Sequence, residues 1–210
     1  MPRSALSVLL LVMAFAVPAQ AADRSPEAKY QALLAAANAG TGPVDWQALR
    51  FAYAEQPSVN AVDDGLGAAR KRMMAAREAD NFPELLTQAK LIIDKDYVDG
   101  LAHLMASVAY TALKQPADAE RERAIALGLL KSIETGDGLS PAKAFTVINV
   151  REEYQSMAAR GRRVTKQSLI SQNGHAYDAL DTVDQKGDMV KYYFLIDRVM
   201  AAERAQMQKK

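Results

Sequence analysis

The chain has 210 residues, of which 26 are basic and 25 acidic, and it contains no cysteine. The lack of cysteine excludes disulfides, thiolate metal sites, a cysteine nucleophile and a lipid-modified cysteine anchor. The near balance of charge argues against a nucleic-acid partner, because a phosphate backbone is bound by a basic surface.

The N-terminus has the features of a secretory signal peptide over residues 1–21. Arg3 supplies a positive charge, residues 6–17 form an apolar run, and residues 19–21 read Ala-Gln-Ala, a small-x-small cleavage site. We expect cleavage after Ala21 and a periplasmic or secreted mature protein. The apolar run is shorter than the roughly 20 residues that span a bilayer, so no stable membrane anchor is expected after cleavage.

Two helices are predicted near the mature N-terminus. A serine cap followed by proline indicates a helix over residues 25–37, which ends at an Asn-Ala-Gly sequence. A second helix is indicated by apolar residues at helical spacing, namely Trp46, Leu49 and Tyr53. We assign residues 22–44 to an N-terminal helix and linker, and residues 45–210 to a single domain.

The middle of the chain is predicted to form antiparallel helical hairpins. A helix over residues 66–79 is followed by one capped by Asn81, with an apolar stripe of Phe82, Leu85, Leu86, Ala89, Ile92 and Ile93. The next helix has a similar stripe, formed by Leu101, Leu104, Met105, Val108, Ala109 and Ala112. A further helix begins at Pro116 and runs to about Ile133.

Two of these helices have similar starting sequences, and the number of residues between the two starts is typical of a known repeat. The starts at Asn81 and Gln115 lie 34 residues apart, which is the period of the tetratricopeptide helix–turn–helix unit. Tyr110 and Ala119 fit its pattern, whereas His103 stands where a tryptophan is expected. We predict a degenerate tetratricopeptide-like layer, since each repeat needs neighbours to bury its faces.

After Pro141 the pattern changes to that of short strands. Residues 145–150 form a β-branched run of strand length, followed by a short helix over residues 151–160. Three further strands are predicted over residues 168–172, 175–183 and 189–197. The whole indicates a small antiparallel β-meander packed on the helices and closed by a polar helix over residues 198–210. The predicted fold class is α+β, mostly α.

Three phrases of the chain are distinctive: LAHLMASVAYTAL, LGLLKSIETGDGLSPAKAFTVINVREEYQSM, and AYDALDTV followed by KYYFLID. Together they resemble the exported bacterial proteins grouped as domain of unknown function 4919, over roughly residues 46–197. The resemblance implies a signal-bearing bacterial protein with helices followed by a few strands, and it implies no particular activity.

The stretch SIETGDGLSPAKAF, residues 132–145, is the first candidate for chemistry. A cation-binding loop around Asp137 is one interpretation, but calcium sites need six to eight oxygens, and no second acid follows Asp137 until Glu152. We therefore predict no metal site. The stretch is better interpreted as a turn in which Gly136 takes the left-handed position that ends the preceding helix.

Three acids near the helix–sheet junction are candidate catalytic residues: Asp137, Glu152 and Glu153. Paired carboxylates can act as general acid and base, and an envelope hydrolase is accordingly the alternative function. Adjacent helical residues point about 100° apart, so Glu152 and Glu153 more simply stabilise the positive end of their helix. No P-loop, nucleophile elbow or dinucleotide fingerprint is present in the sequence, and no cofactor is predicted.

A second stripe on the helix from Leu101 is the candidate binding surface, formed by His103, Ser107, Tyr110 and Lys114. Repeat proteins bind ligands through such inner faces, so we predict a non-enzymatic module for a protein or peptide partner, of undetermined oligomeric state. The alternative is that His103 and Tyr110 pack against a neighbouring helix. The other histidine, His175, follows an Asn-Gly turn and is expected to be exposed, and two isolated histidines do not make a zinc site.

Overall fold

A computed structural model describes residues 25–40, 42–57, 59 and 65–208. The predicted signal peptide, residues 1–21 with cleavage after Ala21, lies outside the described residues. Within the described part of the chain, no helix is both long enough and apolar enough to cross a membrane.

A layer of helices precedes the sheet in the described residues. Its members are α1 Pro26–Ala39, α2 Trp46–Ala54, α3 Gly67–Glu78, α4 Phe82–Lys95, α5 Gly100–Ala112 and α6 Pro116–Ile133. Side chains cap several N-termini, as when Asp99 accepts a hydrogen bond from the Ala102 N–H at 3.0 Å. From α3 to α6 each helix contacts the next through a short connection. The predicted helical hairpins are thereby confirmed.

A four-stranded sheet follows, in the spatial order β1-β4-β3-β2. The strands are β1 Phe145–Thr146, β2 Arg163–Gln172, β3 His175–Val183 and β4 Met189–Leu195, with α7 Val150–Ala159 after β1 and α8 Asp197–Met207 after β4. The β2–β3 and β3–β4 pairs are antiparallel, which confirms the predicted meander. The β1–β4 pair is parallel, so the prediction of a purely antiparallel sheet is wrong at this edge.

The β-branched run at residues 145–150 contributes only two strand residues, against our prediction of a full strand. The reason is a helix cap: the Asn149 side chain accepts a hydrogen bond from the Glu152 N–H at 3.2 Å, so α7 begins at once. Val147 and Ile148 are buried without extending the strand. Their apolar character therefore reflects core packing and not strand pairing.

The predicted apolar stripe of α5 forms only part of the face that packs on the core. Leu104 is 42 % exposed, whereas the buried residues of this helix are small or polar, namely Ala102, His103, Ala106, Ser107 and Ala109. Small side chains allow α5 to lie close to both α4 and α6, which it contacts on either side. Of the larger residues in the stripe, Leu101, Met105 and Val108 are partly buried against the core, and Leu104 is exposed.

Two of the apolar clusters border the site described below. One is built by α3, α4 and α5 around Met73, Leu85 and Ile92. The other joins α1, α2 and α6 around Tyr30, Leu49 and Leu129. A third lies between the sheet and its neighbouring helices, around Phe145 and Phe194.

Candidate functional site

A polar cavity of about 780 Å³ lies where α1 and α2 face α4, α5 and α6. We call it the central cavity. Its volume falls within the range of about 300–1,000 Å³ that small-ligand sites occupy. Four tyrosines contribute to its walls: Tyr30, Tyr53, Tyr97 and Tyr110.

His103 forms the buried floor of the central cavity, and both of its ring nitrogens are engaged. Nδ1 lies 2.5 Å from Oε2 of Glu122, and Nε2 lies 2.8 Å from the carbonyl oxygen of Tyr97. Since a carbonyl oxygen can only accept, Nε2 must carry a proton. A second proton then lies between Nδ1 and the carboxylate, so the His103–Glu122 pair has no net charge whichever atom holds it.

The hydroxyls of Tyr30 and Tyr97 in the cavity wall stay protonated at ordinary pH. Burial, followed by the charge of Asp96 and by Tyr97, raises the pKa of Tyr30 to about 12, and burial also raises the pKa of Tyr97. The Tyr97 hydroxyl is buried and has no hydrogen-bond partner among the described residues. Tyr30 also packs against Tyr53, with 5.6 Å between ring centroids.

Among the described residues at the rim of the central cavity, exposed positive charges outnumber exposed negative ones. Lys90, Lys95 and Arg121 are exposed there, together with one exposed acid, Asp94. Arg121 donates a hydrogen bond to Oδ1 of Asn38 at 3.4 Å, which links α6 to α1. In the described part of the chain, neither Lys90 nor Lys95 has an ion-pair partner.

The four residues of the predicted binding stripe are divided between two cavities. His103 and Tyr110 line the central cavity, whereas Ser107 and Lys114 line a separate one of about 480 Å³. The Ser107 hydroxyl is already used, because it donates to the Ala119 carbonyl at 2.7 Å. Only the His103 and Tyr110 half of the stripe therefore belongs to the larger site.

The candidate acid Glu152 is held in a buried ion pair. Its carboxylate accepts two hydrogen bonds from the guanidinium of Arg50 and one from the Ile148 N–H at 2.9 Å. Arg50 also donates to the Thr146 carbonyl at 3.0 Å and to the Ser132 hydroxyl at 3.2 Å. This network satisfies both charges and fixes α2 against the start of the sheet.

The neighbouring acid Glu153 is fully buried, and neither of its oxygens has a hydrogen-bond partner among the described residues. Burial, followed by the nearby carboxylates of Asp178 and Glu152, raises the pKa of Glu153 to about 9. Asp178 is itself buried and accepts from Gln167 Nε2 at 2.7 Å. Glu153 is thus an uncharged carboxyl at neutral pH, and it does not share the ion-pair network of Glu152.

The third candidate acid, Asp137, is tied to its own loop. Oδ1 accepts from the Leu139 N–H at 2.9 Å, and Oδ2 lies 3.4 Å from the ammonium of Lys143. The Leu139 N–H, aided by Lys143, holds the pKa of this exposed carboxyl below its usual value. Asp137 and Glu152 are each engaged by their own partners, Glu153 has no hydrogen-bond partner among the described residues, and no partner is common to Asp137 and either glutamate.

The prediction for Gly136 is wrong, because Gly138 is the residue with the left-handed backbone, at φ 72°. Gly136 is required for a different reason: a Cβ atom there would lie 2.2 Å from the Lys143 carbonyl oxygen. The helix α6 ends at Ile133 instead, before this loop begins. Gly136 is therefore needed because the backbone of Lys143 lies close to it, and not because it ends the helix.

Several site residues escaped the sequence analysis. Arg50 had a visible signal, since it is a charged residue between apolar Leu49 and Phe51 in a helix. Glu122 and Asp178 had none, because their roles arise from contacts with residues distant in the sequence. No group of three or more histidines, aspartates and glutamates in the described residues is arranged to hold a metal ion.

A second, apolar cavity of about 490 Å³ lies between α5, α6 and α7. Leu104, Leu127 and Tyr154 line it and are each more than two-fifths exposed. This apolar groove is separate from the central cavity in its lining, and it supplies matched positions for control substitutions.

No curated protein and no solved structure matches this chain. A family model described as a domain of unknown function, DUF4919, matches residues 20–205, which include the helices of the central cavity and the whole sheet. The chain therefore belongs to the DUF4919 family.

Proposed function

We propose that this chain is a non-enzymatic module of the bacterial envelope that binds a protein or peptide segment in the central cavity. The observation that carries the proposal is the cavity itself, with its volume of about 780 Å³ and its tyrosine-rich walls. Tyrosine is favoured in recognition sites because it supplies a large contact area and a hydroxyl at a low cost in conformational entropy.

The chemistry of the cavity supports binding more than catalysis. A general base must have a nitrogen or oxygen available to the substrate, and both ring nitrogens of His103 are occupied. What remains is a set of hydroxyls, amides and rim charges, such as those of Tyr110, Gln31 and Lys90. These groups suit the polar backbone and side chains of a bound peptide.

Export to the periplasm or the outside of the cell is part of the same proposal. Its support is the signal-like pattern of residues 1–21 and the resemblance to exported proteins. The expected mature protein begins at Ala22, which mass spectrometry of the protein purified from the cell envelope would reveal. A protein that retains Arg3 and the apolar run would contradict cleavage after Ala21.

The alternative proposal, an envelope hydrolase, is supported by one observation, the raised pKa of Glu153. A carboxyl kept uncharged at neutral pH can serve as a general acid, but this carboxyl is fully buried. A panel of 4-nitrophenyl esters and glycosides tests the idea. Hydrolysis by the wild type that disappears in a folded Glu153→Gln variant would favour the hydrolase over the binding module.

The binding proposal is tested with a synthetic library of randomised hexapeptides, capped at both ends and passed over the immobilised mature protein. We expect retention of a subset of peptides, identified by mass spectrometry, and loss of that subset in Tyr110→Ala. The matched control is Tyr154→Ala, which removes an exposed tyrosine in the apolar groove. Equal retention by both variants and the wild type, or no retention at all, would refute a peptide site in the central cavity.

A further inference from the structure

We propose that the segment bound in the central cavity is acidic, with its carboxylate side chains directed to the rim cations Lys90, Lys95 and Arg121. The inference rests on the proposed function, since it names the class of peptide that the same site takes. It follows from the exposed charges at the rim and from the proton shared by His103 and Glu122 at the floor of the cavity.

The rim of the central cavity is rich in exposed cations. Among the described residues that line the cavity, the exposed charges are three cations and one acid, Asp94. Lys90 and Lys95 form no ion pair within the described residues. A local excess of cations around a concave site raises the local concentration of anionic ligands and steers them inward.

At the floor, the contact between His103 and Glu122 limits the negative charge that would oppose an anion. The Glu122 carboxylate would oppose an anion if it were unpaired, but its contact with His103 leaves the pair with no net charge. The Tyr30 hydroxyl in the cavity wall stays protonated, since its pKa is about 12, and it can donate a hydrogen bond. An approaching carboxylate therefore meets hydrogen-bond donors at the walls as well as cations at the rim.

The balance of hydrogen-bonding groups agrees with this charge argument. Lysine and arginine can only donate hydrogen bonds, so the rim cations add donors to hydroxyls and amides that can both donate and accept. A ligand rich in acceptors fits such a lining, and aspartate and glutamate side chains are the peptide groups with acceptors only. Basic peptides would instead meet Lys90 and Lys95 with like charge.

The test uses the capped hexapeptide library, in which every carboxylate belongs to a side chain. We expect aspartate and glutamate to be enriched several-fold among the peptides retained by the wild type. Retained acidic peptides should bind about three- to tenfold more weakly to Lys90→Glu, Lys95→Glu or Arg121→Glu, as expected for exposed charge pairs. Raising the salt concentration from 50 to 300 mM should weaken the binding of acidic peptides to the wild type, because exposed charges are screened.

The matched control is Lys166→Glu, which reverses an exposed lysine of β2 outside the cavity lining. It should leave both the affinity and the acidic preference unchanged. This inference is overturned if retention depends on Tyr110 but the retained peptides are not enriched in acids. It is also overturned if the acidic preference is unchanged in all three rim variants. Either result leaves the proposal of a binding module intact. Absence of any Tyr110-dependent retention overturns the binding module, and the inference fails with it.

Discussion

Arg50 of α2 and Glu152 of α7 form a fully buried ion pair between residues 102 positions apart in the sequence. The guanidinium Nε lies 2.8 Å from Oε1 of the carboxylate, and Nη2 donates to the second oxygen. Removing two charges from water is costly, and the pair is tolerated only because backbone groups of Thr146 and Ile148 complete its hydrogen bonds. The pair therefore specifies how the helical layer meets the sheet.

Loss of one partner should destabilise the protein strongly. Arg50→Met leaves the Glu152 carboxylate buried without its cation, and we expect a loss of about 3–5 kcal/mol in the free energy of unfolding. The double variant Arg50→Met/Glu152→Leu removes both charges and should recover part of that loss. Urea denaturation of the two single variants and the double variant gives the coupling energy between the residues.

The control for this cycle is the exposed pair Arg77–Asp80, whose side chains are 43 % and 72 % exposed. Arg77→Met should change the free energy of unfolding by less than about 0.5 kcal/mol. Additive losses in the Arg50 and Glu152 cycle would contradict a specific pair, and would mean that each residue acts only through its own packing.

Glu153 should make stability depend on pH in the direction opposite to most carboxylates. Its pKa is about 9 in the folded protein and near 4.5 when exposed, so between these values the folded chain holds one proton that the unfolded chain releases. The stabilisation associated with that proton is complete below about pH 4.5 and is lost as the pH rises to about 9. Between these pH values, Glu153 changes the free energy of unfolding by about −1.4 kcal/mol per pH unit.

The Glu153→Gln variant removes this titration. We expect it to match the wild type near pH 5 and to be more stable than the wild type at pH 8, as measured by urea denaturation across the range. Glu78→Gln, at an exposed helical position, should leave the slope unchanged. If the free energy of unfolding of Glu153→Gln changes with pH in the same way as that of the wild type, Glu153 is ionised in the folded protein.

The loop between α6 and β1 offers a test of backbone strain. Gly138 and Gly174 both have left-handed backbones, with φ of 72° and 81°, but only Gly138 is crowded. A Cβ atom on Gly138 would lie 2.6 Å from the Phe145 ring, whereas a Cβ on Gly174 would meet nothing within 4 Å. The Gly138 carbonyl also accepts a hydrogen bond from Tyr193 of β4 at 2.8 Å, which limits any shift of the loop.

Replacement of each glycine by alanine separates the two effects. Gly174→Ala should cost about 1–2 kcal/mol, the penalty for a left-handed L-residue. Gly138→Ala carries the same penalty and also forces the Phe145 ring to move, so its loss should be larger by about 1–3 kcal/mol. Thermal or urea denaturation measures both losses of stability. Equal losses would mean that the Phe145 ring moves aside without a cost in free energy.

The positions of most elements could be predicted from local patterns. The helix predicted from Pro116 to about Ile133 and the strand at residues 175–183 coincide with the observed ones, because proline starts, turns and alternating apolar residues act within a few residues of the chain. The parallel β1–β4 pair could not be predicted, because it depends on contacts about 50 residues apart. The early start of α7 likewise depends on which residue supplies its cap.

The central cavity was predictable only in part. His103 and Tyr110 were visible as a stripe on one helix, but the opposite wall comes from Tyr30 and Tyr53, which are distant in the sequence. The partner of His103, Glu122, follows it by 19 residues, and no local spacing distinguishes it from the neighbouring charges of its helix. The tetratricopeptide-like character of the hairpins stays a prediction.

The shared proton of His103 and Glu122 can be tested directly, because the chain has only two histidines. We expect nitrogen-15 NMR of the wild type to show Nε2 protonated at neutral pH, as its 2.8 Å contact with the Tyr97 carbonyl requires. His175 is exposed, and its signals can be assigned with a His175→Gln variant. An unprotonated Nε2 in the wild type would contradict the proton count of the pair.

Two substitutions of Glu122 extend this test to stability and to the cavity. In Glu122→Gln the side-chain amide can donate to Nδ1, so a neutral His103 keeps both contacts and the free energy of unfolding should change by less than about 1 kcal/mol. In Glu122→Met, Nδ1 loses its partner, and we expect a loss of about 1–3 kcal/mol. Because wild type and Glu122→Gln both have an uncharged pair, they should retain acidic peptides equally. A marked gain of acidic binding in Glu122→Gln would reveal a negative charge at the wild-type floor.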